Sequence, residues 1–99
     1  MVAAVTAASF VLGIPIFFDV GFIILAPIVF GFAHIARISP LKIGLPVAAT
    51  LMTLHVVIPP HPGPVASAAT LGVDVGLLTI ISMPVCAAVV VAAFYAARL

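Results

Sequence analysis

The sequence predicts an all-α membrane protein, and three observations carry that prediction. Hydrophobic residues make up 67% of the 99 residues and Asp, Glu, Lys and Arg only 5%. A water-facing surface needs roughly a quarter of its residues charged, so lipid is the exterior this chain suits. Apolar runs recur at lengths that fit spanning helices of about 20 residues. Those runs are interrupted at two places rich in proline and glycine, GIPIFFDVG (Gly13 to Gly21) and PPHPGP (Pro59 to Pro64).

Val2 to Leu12 comes first and would form about 16 Å of helix, half of a ~30 Å hydrocarbon core. Gly13, Ile14 and Pro15 stop it, because proline disfavours helix at the residue before it. Val20 to Ala36 resumes an apolar helix, with Pro27 as a kink. Two readings are open. Val2–Leu12 is a cut spanning helix, or residues 1–36 form a re-entrant helical hairpin with its break at 13–21, and the hairpin is preferred. Its tip is tolerated only in a protein-lined, wet cavity where other groups satisfy the freed backbone.

Arg37 to Lys42 is a polar connector. Residues 40–72 read as one discontinuous transmembrane helix, apolar from Ile43 to Ile58, unwound at 59–64 and helical again from Val65. Four prolines in six residues remove donors and fix φ across that break. Gly72 to Gly76 is a turn, and residues 76–98 form a further transmembrane helix containing Pro84, with Tyr95 and Arg98 as interface anchors. Arg37, Lys42 and Arg98 then fall on one side of the membrane and Asp74 on the other, which makes the basic side cytoplasmic. With no polar leader before Val2, Met1 and Leu99 are expected to be the ends of a fragment.

Asp19 is the most informative residue, since a carboxylate among Phe17, Phe18, Phe22 and Ile23 at membrane depth normally faces a cavity or a partner. It could carry a proton, or cap the following helix near its positive end. Both readings stay open, and they are compatible. At the second break, unwound backbone next to a helix start after Pro64 suits an anion. There His61 adds a titratable donor and Gly63 permits close approach of a ligand. The breaks themselves rest on Gly13, Pro15, Pro59, Pro60, Pro62 and Pro64. His55 reads as a hydrogen-bonded packing residue and His34 as an interface residue. Ser9, Thr50, Thr53, Ser67 and Thr70 could meet a polyol, though such hydroxyls more often bond their own helix. Cys86 reads as a small buried hydrophobe. No metal motif, cofactor motif, catalytic grouping or nucleic-acid-binding patch is present.

Three stretches carry a family resemblance: GIPIFFDVGFIILAPIVF (Gly13 to Phe30), SPLKIGLPVAATL (Ser39 to Leu51) and HVVIPPHPGPVA (His55 to Ala66). With PPHPGP and FFDVGF in this order and spacing, the chain resembles the gluconate permease family of proton symporters. The resemblance implies part of a longer, multi-pass, inverted-repeat, elevator-type transporter of the cell's inner (plasma) membrane. It implies Asp19 and Gly21 at a hairpin tip, and His61 and Gly63 in the broken helix. Partners would be a small organic anion such as gluconate, protons, the lipid bilayer and the remaining helices of the full-length permease, with Ser67 a further candidate for the anion. The alternative is a non-transporting small membrane protein or an inactive transporter remnant.

Overall fold

A computed structural model describes residues 1–99, which form five helices and no strand. They are α1 (Val2–Gly13), α2 (Phe18–Ala36), α3 (Leu41–Val57), α4 (Pro62–Leu71) and α5 (Val75–Ala96). Three segments are long and apolar enough to cross a membrane: α2, the α3–α4 stretch Leu41–Leu71, and α5. The 12 residues of α1 are apolar and extend about 18 Å.

The bundle is organised around α3. Ile43, Val47, Leu51, Leu54 and Ile58 recur at three- and four-residue intervals and are at most 1% exposed. Gly21, Leu25, Val29 and Ala33 form the buried stripe of α2. The stripe joins Val5 of α1 and Ile43, Val47 and Leu51 of α3 in one apolar cluster. A second cluster joins Leu54 and Ile58 to Cys86 of α5, with Phe10, Ile14 and Met83 around it. Cys86 is therefore the buried packing residue its apolar run implied. Outside these seams the surface is apolar, with Ile23, Ile35 and Ile80 all more than 70% exposed, as lipid or further helices require.

Both breaks are narrower than the sequence suggested. The helical gap of the first is 14–17 rather than 13–21, because Gly13 still closes α1 and Phe18 already begins α2. Ile14 keeps helical dihedrals despite the proline after it, and the chain turns extended only by Phe17. The second gap is 58–61 rather than 59–64. His61 is the N-cap of α4, and Pro62 and Pro64 lie inside its first turn. A helix's first N–H groups have no intrahelical acceptor, so proline loses nothing there. The Pro59–Pro60 peptide bond is cis.

Two ends are closed by recognisable devices. Asp74, expected in a plain turn, is the N-cap of α5, where its Oδ1 accepts from the Leu77 N–H at 2.8 Å. Asp74→Ala should lower stability by about 1 kcal/mol, read as a drop in the thermal midpoint in detergent; an unchanged midpoint would count against the cap. Arg37 ends α2 in the left-handed region, φ 54°, and its N–H reaches the Ala33 and His34 carbonyls. That conformation is normally left to glycine, so a charge is kept here at a conformational cost.

Candidate functional site

Four helix ends converge where the two breaks meet. Gly13, the last residue of α1, lies against Leu51 and Leu54 of α3, close to the middle of the Leu41–Leu71 span. Its carbonyl accepts a buried hydrogen bond from His61 Nε2 at 3.0 Å. A carbonyl can only accept, so Nε2 carries the proton. Across the same gap the Phe18 N–H, first in α2, donates to His55 Nδ1 at 3.4 Å. Nδ1 is therefore bare and the neutral His55 ring carries its proton on Nε2. The C-terminal end of α1 and the N-terminal end of α2 each find a histidine from the broken helix. Such ends otherwise leave backbone groups unpaired.

The rings reinforce the join. His55 and His61 have centroids 4.9 Å apart. Phe17, the N-cap of α2, packs edge-on against His55 at 5.9 Å and tilted against His61 at 5.6 Å. The N-caps of α2 and α4 are thus in ring contact, which brings two positive helix ends together.

Each expected site residue has a definite place. Asp19 is exposed in the first turn of α2 but is not its cap; that position is Phe17, and no side chain caps the helix. The Asp19 and Val20 N–H groups have no hydrogen-bond partner, whereas Gly21 N–H bonds the Phe17 carbonyl. Gly21 is buried, and a Cβ there would lie 3.2 Å from Leu51 Cδ2, so it sets the approach of α2 to α3. His61 is 2% exposed. Gly63 is exposed with open space around it, and its N–H is unpaired. It is the one free donor of the α4 start, because Pro62 and Pro64 have none and Val65 N–H bonds the His61 carbonyl. Ser67 follows Gly63 by four residues on the same exposed face.

Ser9, Thr50, Thr53 and Thr70 all donate to carbonyls of their own helix. Ser67 makes no such bond and keeps its hydroxyl for another partner. The pairing of His55 with Phe18 and the packing of Phe17 against both histidines had no local signal in the sequence. Both depend on residues at least 37 positions apart. No group of His, Cys, Asp and Glu is arranged to hold a metal ion.

The family model described as GntP family permease matches residues 1–99. The chain belongs to that family. Among curated family relatives, inner membrane permease YgbN of Escherichia coli K12 is 59% identical over 98 residues, covering 99% of this chain and 22% of that protein. A gluconate permease of Bacillus subtilis is 47% identical over 73 residues, 74% of this chain and 16% of that protein. A gluconate permease of Pseudomonas aeruginosa is 46% identical over 69 residues, 70% of this chain and 15% of that protein. The chain thus spans about a fifth of the length of the GntP family relatives it matches. No solved structure matches it.

Proposed function

We propose that this chain is part of an inner-membrane permease that takes up gluconate or a related small sugar acid together with protons. The observation that carries the proposal is the convergence of four helix ends at the two breaks, stitched by His61 to Gly13 and by His55 to Phe18. Family membership and relatives named gluconate permease support the substrate class. In this reading α1 and α2 are a re-entrant hairpin. Support comes from where α1 ends, against Leu51 and Leu54 near mid-span, and from the groove of Ala3, Thr6, Phe10, Val90, Phe94 and Tyr95, which sets α1 beside the end of α5. The remaining helices of the permease, including an inverted repeat that moves against its scaffold as an elevator, complete the pocket. Arg37, Lys42 and Arg98 mark the cytoplasmic side.

The chemistry of coupling follows from the α2 start. Asp19 and two unpaired N–H groups share the positive end of that helix. Ionised, the Asp19 carboxylate competes with a substrate carboxylate for that end. Protonated, it stops competing and can donate to a substrate oxygen. Proton and anion therefore bind more tightly together than either does alone, as symport requires. Gly63 N–H and the Ser67 hydroxyl, on one face of α4, are the complementary donors for the sugar acid.

Uptake of labelled gluconate by the full-length permease in membrane vesicles tests the reading. A proton gradient should drive accumulation and a protonophore should abolish it. Asp19→Asn should remove the response to the gradient and reduce uptake by about a hundredfold, the scale on which a positioned proton-transfer group contributes. Gluconate uptake indifferent to the gradient would overturn the coupling, and an Asp19→Asn permease as active as the parent would remove Asp19 from it.

A further inference from the structure

We propose that His55 and His61 form a proton-responsive latch between the two helix breaks, in which His55 opens and His61 holds. The inference rests on the transporter reading only for its consequence in transport; the latch itself stands on the geometry of the rings.

The two histidines use opposite chemistry. His61 donates through Nε2 to the Gly13 carbonyl, so a proton added at its Nδ1 leaves that bond intact. His55 accepts through Nδ1 from the Phe18 N–H, so a proton added there sets two donors face to face. One protonation event therefore breaks the tie to the start of α2 while the tie to the end of α1 persists. The His55 bond is the longer of the two, at 3.4 Å against 3.0 Å, and so the weaker. His55 is half-buried whereas His61 is buried, so His55 is the more accessible of the two rings. With centroids 4.9 Å apart, a second charge on His61 is opposed by the first.

Within this chain few charged groups accompany the two rings. α1 and α4 carry no titratable side chain. Facing from the other helices are Asp19, one residue beyond Phe18 on α2, and Cys86 on α5, which packs with Leu54 and Ile58. Neither joins the two rings in a metal-holding group. Imidazole is the side chain whose charge ordinarily changes near neutral pH. When the latch opens, Phe17 loses its edge-on ring contact, and the α2 start bearing Asp19 is freed to move. His55 is in this sense a positioning residue for the candidate anion site.

The test uses the full-length permease in proteoliposomes. A reporter is placed in the first break by Ile16→Cys, and an exposed control at the end of this chain by Leu99→Cys, each in a background without other cysteines. The rate of labelling by a water-soluble maleimide is read as the ratio of reporter to control, which cancels the reagent's own pH dependence. That ratio should rise about tenfold from about pH 8 to about pH 5, the scale of one lost buried hydrogen bond over the range where imidazole gains its charge. In His55→Asn, which keeps an acceptor near the Nδ1 position but does not titrate, the ratio should stay flat. In His61→Gln, which keeps a donor near the Nε2 position, the rise should persist. A flat ratio in the parent overturns the latch even if no variant folds, and a rise that vanishes in His61→Gln but survives in His55→Asn overturns the assignment of roles. Labelling does not depend on transport: a rising ratio without sugar-acid uptake upholds the latch and sinks the transport reading alone.

Discussion

Replacing Gly13 with valine should lower the thermal midpoint of the permease and cut its uptake to a small fraction of the parent's. One carbon is already too many at this position. A Cβ on Gly13 would lie 2.6 Å from Leu54 Cδ1 and 3.1 Å from Leu51 Cδ2. Both leucines are at most 1% exposed, so neither can swing into free space. Overpacking of this kind costs about 1–3 kcal/mol, and the methyls of valine push toward the upper value. The larger effect falls on function, because levering α1 away from α3 also carries the Gly13 carbonyl away from His61. Gly63→Ala is the matched control, since nothing lies within 4 Å of a Cβ there. It should melt like the parent and raise KM where a ligand approaches that backbone. Thermal unfolding in detergent decides the first point, and a valine variant that melts with the parent would show that α1 packs elsewhere.

His61→Ala should be the second most damaging substitution. It leaves the buried Gly13 carbonyl without its donor, a loss of about 1–3 kcal/mol, and opens a void where the imidazole packed against Phe17 and His55. His61→Gln restores an amide donor near the Nε2 position and should recover most of the stability. The pair separates hydrogen bonding from bulk. If glutamine is as damaging as alanine, ring packing rather than the Gly13 bond holds the breaks together.

Much of this architecture was legible in the residues themselves. Five helical segments follow from apolar runs and their proline and glycine punctuation, and the Ser9, Thr50, Thr53 and Thr70 hydroxyls return to their own helices as expected for apolar surroundings. The edges of the breaks were harder to read. Pro62 and Pro64 signal the end of a helix to a local reading, yet they occupy a first turn, where a missing N–H costs nothing. Asp19 resembles a cap by composition, but the extended residue before the helix is Phe17, a position fixed by ring contacts with two distant histidines. Asp74 is the opposite case, an acid at a helix entrance that does cap, in a stretch whose flanking glycines read as a plain turn. The contact of His61 with Gly13 spans 48 residues and leaves no trace in any short window.

The proline-rich break also has a consequence for hydration and for charge balance at depth. Every backbone amide at that level needs a partner that hydrocarbon cannot give, and each proline removes one such demand. PPHPGP keeps only two amide hydrogens, and that of His61 is already bound to the Ile58 carbonyl. The segment can therefore cross the bilayer interior with few accompanying waters, and the Gly63 amide is the one backbone donor it keeps free for an anion. A sugar acid bound there would meet that single amide beside the Ser67 hydroxyl, four residues on along α4, rather than a row of backbone donors.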